Sequence, residues 1–194
     1  MRHATTTVIR EEHADLAAML RSILLLLAQH RRRGTLTDFG ALRAMLFYVD
    51  EFPEKHHHRK ESEYLFPRLR ARTPLSHAVL DRLDADHASS EQSIRHLEHA
   101  LLAFELIGEP RRQTFEQAAE TYVSFYLAHM AMEGEQVLPL AEQVLNGADW
   151  AELDAAFTAN RYPLTGQQAE ADYHALFTRI AHRVPAPIRL GAAT

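Results

Sequence analysis

Residues His57-His58-Arg59-Lys60-Glu61-Ser62-Glu63-Tyr64-Leu65-Phe66-Pro67 set a histidine, a glutamate four positions on and a proline six beyond the glutamate. Residues His129-Met130-Ala131-Met132-Glu133-Gly134-Glu135-Gln136-Val137-Leu138-Pro139 repeat that order. On a helix, positions i and i+4 lie on one face. Each stretch therefore presents an imidazole and a carboxylate side by side. Two such pairs facing each other make a site for a pair of metal ions.

The surrounding apolar spacing is helical. One stripe runs Ile9, Leu16, Leu20, Ile23 and Leu27 and carries His13. Gly34 closes that helix, and Thr37 or Asp38 can cap the next. A second stripe runs Leu46, Val49, Pro53, His57, Glu61, Leu65 and Leu69, with a kink or restart expected at Pro53. A third runs Leu80, Leu83, His87, Glu91, Ile94, Leu97 and Leu101. Pro110 suits the first turn of a fourth helix, whose stripe is Tyr122, Phe125, His129, Glu133, Val137, Leu140 and Val144. No window alternates as a strand does. Four long helices with short connections predict an all-α antiparallel four-helix bundle. The halves look duplicated: His13 stands 44 residues before His57, and His87 stands 42 before His129.

At 194 residues the expectation is a single domain spanning 1–194, with the bundle over 9–145. Residues 149–185 read as an extension of two further helices packed on the bundle. Asp149-Trp150-Ala151-Glu152 looks like an acidic N-cap with glutamate at the third position, and Arg161 to Gly166 like a turn. A hydrophobic share of 46% with 24% charged residues is the balance of a soluble globular protein. The net charge of −5 argues against a nucleic-acid partner. The absence of cysteine removes disulfides, thiol catalysis and iron–sulfur ligation. No apolar run is long enough to span a membrane, and the start of the chain shows no signal-peptide core, so the expected location is cytoplasmic.

A lone histidine on an apolar stripe is more often a hydrogen-bonded core residue than a ligand. Here His13, His57, His87 and His129 fall on the inward stripes of four helices, and Glu61, Glu91 and Glu133 lie inward with them. Buried carboxylates need partners, and a cation satisfies imidazole nitrogen and carboxylate oxygen together. In the triplet His56-His57-His58 only His57 has a glutamate at i+4, so His56 and His58 read as flanking, solvated residues. The remaining histidines, His30, His77, His96, His99, His174 and His182, read as surface or supporting residues. Nitrogen and oxygen donors without sulfur suit iron, manganese or zinc. Six or seven convergent ligands exceed the need of one ion and fit two, bridged by Glu61 and Glu133. Ferritin-like bundles use two Glu-x-x-His motifs, whereas this chain has one, at Glu54 and His57.

The order lone His, HxxxE, lone His, HxxxE, with Leu65-Phe66-Pro67 and Val137-Leu138-Pro139 after the glutamates, resembles the hemerythrin-like family, the HHE cation-binding domain. The tail, with Asn160-Arg161-Tyr162-Pro163-Leu164, is similar to extensions on bacterial single-domain members. The resemblance implies a non-haem di-iron centre with an oxo or hydroxo bridge. His13 and His57 would hold one iron, His87 and His129 the other, and Glu61 and Glu133 would bridge them. The sequence departs from the oxygen carriers of the family at two points. Glu91 stands where they have a second histidine, and Glu133 lies four residues after the last histidine where they have an aspartate at five. A carboxylate-richer shell favours the ferric state. The implied role is to bind or sense oxygen, nitric oxide, peroxide or iron, and the implied ligand is a small diatomic molecule or peroxide. The alternative is a di-iron enzyme of oxidative or nitrosative stress defence, decomposing peroxide or repairing damaged iron centres. No separate nucleophile or acid–base dyad is visible, so any catalysis would belong to the metals. Tyr48, Tyr64, Tyr122 and Tyr126 are close enough to serve as hydrogen-bonding or radical residues.

Overall fold

Apolar side chains recurring every three or four positions build helices throughout residues 3–34, 38–51 and 57–159, which this computed structural model describes. Helix α1 (Ala4–Arg33) ends where Gly34 takes a φ of 60°, a left-handed conformation that glycine adopts without strain. Helix α2 (Phe39–Val49) is capped by Asp38, whose side chain accepts from the Ala41 amide at 2.9 Å. Beyond residues 52–56 come α3 (His58–Lys60), a π turn (Glu61–Leu65) and α4 (Phe66–Arg72). Helix α5 (His77–Ile107) leads through Gly108 and a tight turn holding Pro110 to α6 (Arg112–Met132). A second π turn (Glu133–Val137), α7 (Leu138–Val144) and α8 (Gly147–Ala159) complete the described chain. The fold is the expected all-α four-helix bundle, and the described residues contain no strand. None of their helices is long and apolar enough to cross a membrane. The bend expected at Pro53, the turn at 161–166 and the last helix of the extension lie outside the described residues.

The π turns that begin at Glu61 and Glu133 arise from Pro67 and Pro139. Pro67 and Pro139 lack an N–H, and their rings press on the carbonyl four residues back. The chain relieves this with one wide turn, in which the amides of Phe66 and Leu138 donate to the carbonyls of Glu61 and Glu133, five residues earlier. The extra residue shifts the phase of the helix beyond it. Leu140 and Val144, expected to point inward, are half-buried, and Leu138, Ala141 and Leu145 fill the core instead.

The core is split in two. One part packs Leu20, Ile23, Leu46, Leu101, Phe115 and Tyr126. The other packs Ile9, Leu65, Phe66, Leu83, Leu138 and Phe157. Between them lies a polar layer made by His13, His57, Glu61, His87, His129 and Glu133, each sitting on its helix between residues of the two cores. Helix α8 closes the second core with Trp150, Leu153 and Phe157. It begins earlier than expected. Asn146 is the cap, its side chain accepting from the amides of Ala148 and Asp149, while Asp149 reaches back to accept from the Asn146 amide. Asp149 is thus the third residue of a capping box rather than the cap. Thr5 fastens α8 to the start of α1, donating its amide and hydroxyl to Asp154 at 2.8 and 2.7 Å.

Candidate metal centre

Each HxxxE motif sits at the end of a helix that opens into a π turn, so the glutamate side chain and the widened backbone share one spot. π turns of this kind recur at functional sites. His57, Glu61, His129 and Glu133 are buried, and His13 and His87 are nearly so.

The carboxylates cross between the halves. Glu61 Oε1 lies 3.3 Å from Nε2 of His57, and its Oε2 lies 3.7 Å from Nε2 of His87. Glu133 Oε2 lies 3.1 Å from Nε2 of His13, and its Oε1 lies 3.4 Å from His129 and 3.9 Å from His87. Two overlapping groups of four could each hold an ion: His13, His57, Glu61 and Glu133, and then Glu61, His87, His129 and Glu133. Both glutamates belong to both groups. Nitrogen meets nitrogen within each half, with His13 Nε2 2.9 Å from His57 Nε2 and His87 Nε2 3.1 Å from His129 Nε2.

Behind these rings stand two carboxylates that the i,i+4 pattern does not reveal. Nδ1 of His57 donates to Glu12 at 2.7 Å, and Nδ1 of His129 points to Asp86 at 3.4 Å. Glu12 and Asp86 directly precede the lone histidines His13 and His87, so the repeat was visible in the sequence as an acidic residue before each. Ser62 Oγ lies 3.0 Å from Nδ1 of His87. The buried Lys60 ammonium stands 3.8 Å from Glu12.

These residues fit a cation. Glu61 Oε2 and both oxygens of Glu133 are buried and have no hydrogen-bond partner, although imidazole nitrogens crowd them. With Nδ1 of His57 and His129 turned to Glu12 and Asp86, each Nε2 faces the cluster and must take up a proton to sit beside a carboxylate. Burial opposes a charge on His57, but Glu61 and Glu12 outweigh it and hold the ring well above the usual histidine range. His129 is raised in the same way, against its burial, chiefly by Glu133. His87 goes the other way, pushed down to about 2 by burial and by the neighbouring His58 and His129 rings. Burial and the nearby Glu133 raise Glu61, while His129 and His13 hold Glu133 well below the carboxylate range despite its burial. These opposed shifts come from charges packed together out of water, and three carboxylate oxygens stay without a hydrogen-bond partner. Metal ions would satisfy all of them at once.

The sequence profile of the hemerythrin HHE cation-binding domain matches residues 4–141. The chain belongs to the hemerythrin HHE family. Among curated relatives, it is 23% identical over 166 residues to the uncharacterized proteins Rv1995 and MT2051 of Mycobacterium tuberculosis and Mb2018 of Mycobacterium bovis. Each match covers 84% of this chain and 64% of the relative, so the chain spans under two thirds of their length. As an HHE domain the protein is built to bind cations, and its histidine–glutamate layer could hold them.

Two expectations from the sequence need correction. Glu91 does not join the layer. It is exposed and paired with Arg95, one turn further along α5. The inward position after His87 is Ser90, three residues on and 1% exposed, and Ile94 comes four later. The stripe alternates threes and fours, and at this point it takes the three. His58 is not solvated. It is 5% exposed, its ring is stacked on His87 at 4.0 Å between centroids, and its Nε2 lies 3.3 Å from the Tyr126 hydroxyl. Neighbouring helices bury it, which a reading of its own helix could not show. His56, His174 and His182 lie outside the described residues. His77, His96 and His99 are exposed, as expected. A cavity of about 430 Å³ runs between α3 and α5 and is lined by Asp50, His58, Ser62, His87 and Glu91.

Proposed function

We propose that the protein holds two iron ions in this layer and uses them to bind or sense a small oxidant: oxygen, nitric oxide or peroxide. The observation that carries the reading is the pair of overlapping four-residue groups sharing Glu61 and Glu133, whose oxygens are otherwise unsatisfied. His13 and His57 would hold one ion, His87 and His129 the other, and the two glutamates would join them. Bound iron supplies one-electron chemistry and an open position for an oxygen- or nitrogen-containing ligand. The chain supplies the rest. Glu12 and Asp86 orient His57 and His129 and make them stronger donors. The two apolar cores above and below the layer keep bulk water away from it. The cavity beside His87 gives a small molecule a route from the surface between α3 and α5.

Protein purified without oxygen or chelators should contain about two iron atoms per chain. Its reduced form should change its visible spectrum on addition of oxygen, nitric oxide or peroxide. One iron atom or none, or no spectral response to any of the three, overturns the reading. A second reading, an enzyme of oxidative or nitrosative stress defence, uses the same centre and the same route. Catalytic loss of peroxide, or restored activity of a damaged iron enzyme in its presence, would favour that reading; a single stoichiometric reaction would favour sensing.

A further inference from the structure

The two halves superpose in sequence at a spacing of 72 residues: His57 on His129, Glu61 on Glu133, Pro67 on Pro139. Under that spacing His58 corresponds to Met130. Both are buried, at 5% and 7% exposure, but Met130 belongs to the apolar core of the upper bundle. The first half therefore places an imidazole where the second half is content with a thioether. Burying an imidazole costs free energy unless its nitrogens are used. Its surroundings are histidines: the ring stacks on His87 at an interplanar angle of 16° and meets His129 edge-on at 5.4 Å. One ring nitrogen from each of His58, His87 and His129 lies within 4.8 Å of the others. Nitrogens about 2.1 Å from one ion are at most about 4.2 Å apart, so a shift of a few tenths of an ångström brings all three into one shell.

From the asymmetry and the clustering, we infer that His58 is a fifth nitrogen ligand, serving only the ion held by His87 and His129, with the Tyr126 hydroxyl holding its ring in place. The inference rests on the two-ion reading above. It makes the two ions unequal: one has three imidazoles and the other two, with both glutamates common to them.

The test is titration of the metal-stripped protein with ferrous iron without oxygen, followed by calorimetry. Two binding events are expected in the unmodified chain. His58→Met, which copies the second half and preserves burial, should weaken one event at least tenfold and leave the other unchanged. Tyr126→Phe, which removes the hydroxyl beside His58, should weaken the same event by less. His58→Ala covers the case of poor folding: adding free imidazole should restore the weakened event. Two events of unaltered affinity in His58→Met, or a loss in His58→Ala that imidazole does not restore, would overturn the role of His58 and leave the two-ion reading standing. Fewer than two events in the unmodified chain would overturn both.

Discussion

Nδ1 of His57 and a carboxylate oxygen of Glu12, 45 residues apart in the chain, are 2.7 Å apart in the fold. The matching contact in the other half, His129 to Asp86, is 3.4 Å. A carboxylate on the far nitrogen of a ligand histidine fixes its tautomer and raises its basicity, and losing one costs about 10–100-fold in metal affinity. Glu12→Gln should therefore weaken metal retention by that order. Asp86→Asn should weaken it less, because the contact is longer. Competition against a chelator of known affinity measures both, and unchanged retention in Glu12→Gln would count against a role for this contact.

Glu61→Gln should change stability in opposite directions with and without metal. Burial and the Glu133 charge raise the Glu61 pKa in the metal-free fold. A folded pKa above the unfolded one makes a carboxylate a cost at pH values above its ordinary range. Removing the charge should stabilise the stripped protein by about 1–3 kcal/mol at neutral pH, with a smaller gain in acid. The loaded protein should lose stability, because a shared ligand is gone. Denaturant melts of both forms check this; the same sign in both would rule out a ligand role for Glu61.

Glu91→Ala should be almost silent. The side chain is exposed and its partner is Arg95, so metal content should match the unmodified chain and stability should change by no more than about 0.5 kcal/mol. A loss of iron in this variant would show that α5 turns Glu91 inward when metal binds.

Asp154→Ala should loosen α8. The carboxylate accepts two hydrogen bonds from Thr5, and removing them should cost about 1–3 kcal/mol. Burial opposes its charge, but the Thr5 contacts hold its pKa below the usual value. A depressed folded pKa gives stability that is present above the unfolded value and fades as pH falls toward the folded one. The gap between variant and parent should therefore be full at neutral pH and close in acid. A gap independent of pH would place the effect in packing instead.

The sequence carried most of the bundle and the six residues of the polar layer, because His13, His57, Glu61, His87, His129 and Glu133 obey helical periodicity on four separate helices. It misled wherever a residue's fate depends on a neighbouring helix. Glu12 and Asp86 lie about 100° round the helix from the histidines they precede, so they read as outward, yet they meet the imidazole of the next helix. His58 was judged by its own i+4 neighbour, whereas α5 and α6 bury it. Glu91 met the i+4 rule, but the stripe on α5 steps by three at that point. The change of inward residues beyond Val137 was hidden because proline at position 139 signals strain without saying how the backbone relieves it.

That wide turn makes the count of residues around each glutamate a fixed quantity. From Leu138 to Ala141 the buried side chains keep their angular phase because one surplus residue is absorbed between Glu133 and Val137. Deleting one residue from the regular helical turns beside it, with the wide turn kept, would rotate Ala141 by about 100° and turn it from the second core toward water. The same deletion in the break between α7 and α8, where Leu145 is extended, changes no helix's phase relative to the layer. Chain length is thus free in the connections and quantised beside the glutamates, in the same way in both halves.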